Sequence, residues 1–128
     1  MTLENTMSPF QNKLKKLMDQ LVHFTYDSVE KFPKEELYSS RSQLTRAILS
    51  IILNYIEGYA RRRKKVQLQF FETSYGSLVE SRYLYNFALK RKWISKETYT
   101  QAMILADEIA KMLWSEIMAT EKGIESSG

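Results

Sequence analysis

Apolar residues in this chain recur at steps of three and four, the period of a helix with one buried face, and no stretch alternates as a half-buried strand would. The pattern divides into four segments. The first opens at Ser8-Pro9-Phe10-Gln11, a capping-box spacing with proline at the first helical position, where its missing N–H costs nothing. Phe10, Leu14, Leu17, Leu21 and Phe24 form its buried stripe, and Pro33 disfavours helical geometry at Phe32. Ser40-Arg41-Ser42-Gln43 repeats the capping box before Leu44, Ala47, Ile48, Ile51, Tyr55 and Ile56, with Gly58 as the expected terminating residue. A third segment runs through Phe71, Tyr75, Leu78, Tyr85 and Leu89. Trp93 and Ile94 then read as an apolar plug in the next connection. Ser95 caps the last segment, with Glu97 in its first turn and Tyr99, Met103, Ala106, Ile109, Leu113 and Ile117 inward; the tail from Gly123 reads as frayed. The expectation is an all-α, antiparallel up-down-up-down four-helix bundle, one domain over 1–128, with helices at about 9–32, 40–60, 64–90 and 96–121.

A lone bundle needs one apolar stripe per helix, yet Ala47 to Tyr59 is apolar nearly all round, and Tyr83, Leu84, Tyr85, Phe87, Ala88 and Leu89 span more than one face. The surplus predicts a homo-oligomer, with Ile52, Tyr55, Tyr59, Tyr83 and Phe87 at the interface. The plainer alternative is that these aromatics thicken the core. Gly76, beside Ser74 and Ser77, lies inside the third helix, where glycine costs about 1 kcal/mol relative to alanine. In an antiparallel pair it comes level with Ile48, so close packing is the expected reason; close approach of a ligand is the other.

Composition removes several kinds of chemistry. With 128 residues, 15.1 kDa and 44% hydrophobic residues, the chain can bury a core as one domain. It has no cysteine and one histidine, which removes disulfides, thiolate chemistry and metal sites built from those ligands. No apolar run approaches the roughly 18 residues of a membrane span, and the start M-T-L-E-N-T-M lacks the order of a secretory signal, so a cytoplasmic protein is expected. Phosphate-binding glycine loops, nucleophile elbows and metal-spaced carboxylates are absent, so neither catalysis nor a cofactor or metal is expected. Asn54 and Glu57, three residues apart on one face, are the best candidate acid–base pair. Their plainer roles are hydrogen bonding and pairing with arginine. His23, between apolar neighbours, reads as structural.

The net charge of +4 is moderate, so placement matters more than the total. Arg61, Arg62, Arg63, Lys64 and Lys65 fall together at the second connection, and antiparallel topology brings Lys13, Lys15 and Lys16 to the same end. Lys90, Arg91, Lys92 and Lys96 fall at the other end with Lys31 and Lys34. Such clusters attract phosphate backbones by counterion release without reading sequence. The candidate nucleic-acid contacts are therefore Arg61–Lys65, with Arg91 and Lys92 secondary; Tyr59 and Trp93 are stacking candidates for single-stranded RNA or DNA bases. Two other readings remain, a solvated turn and a docking point for an acidic protein.

Phe32-Pro33, Ser42-Gln43-Leu44-Thr45-Arg46-Ala47, Ser50-Ile51, Asn54, Glu57-Gly58-Tyr59, Arg61, Lys64-Lys65, Phe70-Phe71 and Gly76-Ser77-Leu78 with Glu80 resemble the four-helix bundle family known as 23S rRNA intervening-sequence proteins. Ile52 and Ala60 depart from it, standing where the family usually has proline and glycine, so a straighter helix with a less sharply broken end is expected. The resemblance implies a bundle assembled into a ring, commonly a pentamer, and no catalysis. Accessory proteins of diversity-generating retroelements are similar in fold and charge, which implies a reverse transcriptase and nucleic acid as partners.

Overall fold

Local chemistry at Ser8 starts the first long helix where the sequence predicts. The Gln11 N–H donates to Ser8 Oγ at 3.1 Å and the Ser8 N–H donates to Gln11 Oε1 at 3.0 Å, closing the capping box. The computed structural model describes residues 2–127 and contains α1 (Leu3–Thr6), α2 (Pro9–Ser28), α3 (Ser40–Ala60), α4 (Lys64–Lys90) and α5 (Lys96–Ser127), with no strand among the described residues. The four long helices match the four predicted segments, and α1 is an addition the pattern did not signal. Each long helix packs against two neighbours in the cyclic order α2, α3, α4, α5, as an up-down-up-down bundle requires.

Three helix boundaries differ from expectation. First, α2 gives way to a 3-10 turn, Val29–Lys31, before Pro33. Second, α3 has no capping box at Ser40. Its cap is Ser39, and the Glu36 carboxylate accepts from Ser39 Oγ at 2.9 Å and Ser40 Oγ at 2.6 Å. The hydrogen bond from Ser40, then that from Ser39, holds the Glu36 carboxyl below its usual range. Third, α5 continues as helix through the expected frayed tail to Ser127. Its start is as predicted, with the Thr98 N–H donating to Ser95 Oγ at 3.1 Å.

The end of α4 is a Schellman motif. The Trp93 N–H donates to Ala88 O and the Lys92 N–H to Leu89 O, both at 2.9 Å, and Lys92 adopts φ 66°, the left-handed conformation glycine normally supplies. The apolar plug forms as expected. Trp93 packs its ring 5.1 Å from Phe32 and 5.6 Å from Phe87, and Ile94 is buried.

Leu14, Leu21, Leu44, Ile48, Ile51, Leu78, Ile109 and Leu113 make the centre of the core. Two tyrosines complete it, and each needs a partner, because an unpaired buried hydroxyl costs about 1–3 kcal/mol. Tyr85 shares a 2.7 Å hydrogen bond with Thr25 Oγ1. Tyr55 donates to Glu116 Oε1 at 2.5 Å, and Gln11 Nε2 holds the other oxygen at 2.8 Å. Burial raises both phenols above their usual range, and the Glu116 carboxylate adds to the effect at Tyr55.

This core corrects the interface prediction. Tyr55 is 0% exposed and Ile52 is 8% exposed within a single chain, so neither side chain is available to a second copy. The glycine assignments also exchange. Gly58 does not end α3, which runs on to Ala60, and no glycine among the described residues has positive φ. A Cβ on Gly58 would lie 2.8 Å from Phe71 Cε1 and 2.9 Å from Phe70 Cβ, so close approach of α4 is its reason. Gly76, expected to pack against Ile48, instead faces open space: a Cβ there would meet nothing within 4 Å.

Candidate nucleic-acid interface

Helix α3 ends at the C-cap Arg61, and α4 begins after the N-cap Arg63, which provides no side-chain cap. A turn this short forces the arginines outward. Arg61, Arg62, Arg63 and Val66 line a cavity of about 250 Å³ at the start of α4. The five cations divide by what their own chain does with them. Arg61 pairs with Glu57 and lies over the Phe70 ring, its guanidinium carbon 5.2 Å from the centroid. Lys64 lays its stem over α5, where a Cβ on Gly123 would be 3.0 Å from Lys64 Cδ. Arg62, Arg63 and Lys65 are exposed and have no ion-pair partner among the described residues.

Two of the N-terminal lysines, Lys13 and Lys15, are taken up by carboxylates of their own chain. Lys13 pairs with Glu108 at 3.3 Å, fifteen residues before the Gly123 that Lys64 touches, which is roughly 20 Å along α5 at about 1.5 Å per residue. Lys15 is held at 2.8 Å by Glu4, whose carboxyl that hydrogen bond pulls below its usual range. Tyr59 is half-buried, and its hydroxyl donates to Thr6 Oγ1 at 2.7 Å, so α1 partly covers the ring expected to stack on bases.

At the opposite end, Arg91 lies near enough to Glu36 to contribute to its lowered pKa, and Lys92 supplies the α4 terminus. Lys31 shares a cavity with Thr98 of α5, which brings it to that end as expected.

The candidate acid–base pair does not come together. Asn54 Nδ2 donates back to Ser50 O and Oγ at 2.9 and 2.8 Å, while Glu57 turns to Arg61. His23 is exposed beside Asp19 at 3.5 Å and is not packed between apolar neighbours. No group of three or more metal-ligating side chains occurs among the described residues, and no helix there is long and apolar enough to cross a membrane.

The family described as 23S rRNA-intervening sequence protein matches residues 11–115, from the first turn of α2 well into α5. The chain belongs to this family. A crystal structure of a protein with unknown function from the S23 ribosomal protein family of Bacteroides thetaiotaomicron VPI-5482 shares the fold, with a TM-score of 0.79 at 18% identity, covering 85% of this chain and 98% of that one. No curated protein matches the chain. Neither the family's description nor the neighbour's states a catalytic activity. The family match includes the whole arginine turn and leaves out α1 and the last turns of α5.

Two sets of surface residues escaped the sequence reading. Leu53 is exposed on α3, between the half-buried Leu49 and Ile56. Across the bundle, Val79, Ile104 and Trp114 are exposed beside the expected Tyr83, along the α4–α5 seam marked by the Arg82–Asp107 pair and the Tyr75–Trp114 contact. A second stripe at spacing four and three, 49–53–56, was the available signal. The other set lies in a groove between α3 and α4: Gln43, Arg46, Ser50, Ser77 and Glu80.

Proposed function

We propose that the protein is a non-catalytic, self-associating bundle that binds RNA through the turn between α3 and α4. Arg62, Arg63 and Lys65 contact phosphates, Arg61 and Lys64 border the same surface, and Arg91 with Lys92 form a secondary patch. The observation that carries this reading is the arginine-lined cavity in which Arg62 and Arg63 have no acidic partner. The start of α4 without a side-chain cap adds the partial positive charge of a helix N-terminus to the same place. The family's description is consistent with an RNA partner.

Self-association uses the two apolar stripes. Because Leu53 with its neighbours lies on α3 and the Val79–Tyr83–Ile104–Trp114 set on α4 and α5, the contact between copies is head-to-tail, the kind that closes into a ring. Tyr83, which is 66% exposed, and Phe87, half-buried against it, form part of this proposed contact, with Tyr59 at its edge. A ring repeats the arginine turn and multiplies weak phosphate contacts by avidity. Five copies is the number the family resemblance implies.

The test is a double variant, Arg62→Ala with Arg63→Ala, titrated with structured and single-stranded RNA over a range of salt. Affinity falls, and the slope of log K against log salt flattens by about 1.4, roughly 0.7 per lost single-strand contact. An unaltered slope overturns the assignment. If a captured partner survives nuclease treatment, the turn serves an acidic protein such as a polymerase instead. Leu53→Glu lowers the mass in solution if the ring uses that stripe.

A further inference from the structure

The groove between α3 and α4 encloses about 260 Å³ and is separate from the arginine turn. Two of its lining residues, Ser50 and Ser77, share a 2.9 Å bond between their Oγ atoms, and Ser50 Oγ accepts from Asn54 Nδ2, beyond the lining, at 2.8 Å. Its rim carries opposite charges, Arg46 on α3 and Glu80 on α4. Both are exposed and border one space, yet neither makes an ion pair among the described residues. Gly76 lies one turn before Glu80, and the missing side chain opens onto nothing within 4 Å. A mid-helix glycine weakens its helix, and here no neighbour inside the chain makes use of the space. The vacant surface beside Glu80 therefore suits something from outside that approaches the α4 backbone closely.

We infer that this groove holds a guanine base extruded from single-stranded RNA, an inference that rests on the RNA-binding reading above. Guanine presents two adjacent acceptors, O6 and N7, and beside them two adjacent donors, N1–H and the 2-amino group. An arginine fork matches the first pair, and a carboxylate matches the second. Adenine places a donor beside an acceptor on both of those edges, and cytosine likewise offers no adjacent pair of donors. Uracil has a single N–H donor, flanked by acceptors. A groove with Arg46 on one wall and Glu80 on the other is thus complementary to guanine alone among the four bases. The Ser50 and Ser77 hydroxyls and Gln43 can donate or accept toward the remaining heteroatoms. The volume falls just under the roughly 300 Å³ at which small-molecule pockets begin, so one planar ring system fits and the sugar stays outside, over Gly76.

Nucleosides test the groove apart from the arginine turn, because they carry no phosphate. In amide-shift titrations of the full chain, guanosine is expected to move Ser50, Gly76 and Ser77 saturably. Inosine, which lacks the 2-amino group, binds about fivefold more weakly, and adenosine gives no saturable shift. Glu80→Gln and Arg46→Gln each lower guanosine affinity about tenfold, the discrimination of one bidentate pair. Gly76→Ala raises the melting temperature yet weakens guanosine, a combination a purely structural glycine does not give. Equal responses to the three nucleosides, or full guanosine affinity in Glu80→Gln, overturn the inference. A groove variant that changes only the mass in solution overturns it too, assigning the groove to another copy. Guanosine shifts that persist when salt-dependent RNA binding is absent keep the groove and remove the arginine turn; the reverse result removes the groove alone.

Discussion

The two ends of the bundle are both basic, but their cations are used differently. At the α4–α5 end, Lys92 forms the helix terminus with its own backbone, Arg91 lies by Glu36, and the Trp93 ring wedges between Phe32 and Phe87. At the α3–α4 end, the close packing is made one turn earlier by Gly58 against Phe70 and Phe71, and Arg62, Arg63 and Lys65 project beyond it without partners. Runs of positive charge at the two ends therefore have unequal meaning. Where the backbone and an aromatic plug need the residues, charge is incidental to a fold; where packing is complete without them, charge is left for something outside the chain.

The sharpest test of that contrast sets Trp93→Ala against the double arginine variant. Removing the indole opens space between Phe32 and Phe87 and is expected to cost about 2–4 kcal/mol, read as a lower midpoint in urea unfolding. Arg62→Ala with Arg63→Ala stays within about 0.5 kcal/mol of the parent, as exposed positions do. Comparable losses at both ends would erase the distinction.

Next in size is Gly58→Ala. A new Cβ at 2.8–2.9 Å from two phenylalanine side chains must push α3 and α4 apart, at about 1–3 kcal/mol. Gly76→Ala has the opposite sign, a gain of about 0.5–1 kcal/mol, because the space is open and alanine favours the helix. Thermal melts of the two variants should move in opposite directions. A gain of similar size, about 0.5–1 kcal/mol, is expected from Lys92→Gly, which relieves the left-handed backbone at φ 66°. The equivalent change at Arg63, with φ −87°, brings no such relief.

What the sequence made legible follows the range of the physics involved. Ser8 with Gln11 and Ser95 with Thr98 are local, and spacing alone located them. Tyr55 was misplaced because apolar counting cannot show that α5 supplies Glu116, sixty-one residues away, to receive its hydroxyl and let the ring go inside. Gly58 and Gly76 were interchanged for the same reason. Both look alike as interruptions of a helical pattern, and only the α4 surface opposite decides which is crowded. The groove residues Arg46 and Glu80 stood in plain view within the family-like segments, but their shared cavity exists only once α3 and α4 are antiparallel in this register.

The smallest expected effect concerns pH and again separates the ends. Hydrogen bonds from Ser40 and Ser39 hold the Glu36 carboxyl below its usual 4.5, so the folded state binds the proton less readily than the unfolded chain does. The contribution is present above about pH 4.5 and is lost as the pH falls through the lowered folded value. Glu36→Gln removes it, so the stability difference between parent and variant is steady at neutral pH and narrows in acid. Glu36 lies at the surface, only partly covered, which keeps the difference small and calls for closely matched denaturant titrations at pH 7 and below 4.5. Arg62 and Arg63 have no carboxylate partner, so their double variant should show a flat difference over the same range. A gap for Glu36→Gln that fails to narrow would mean the serines cap α3 without discriminating the charged form, and one of the structural uses of the α4–α5 end would fall away.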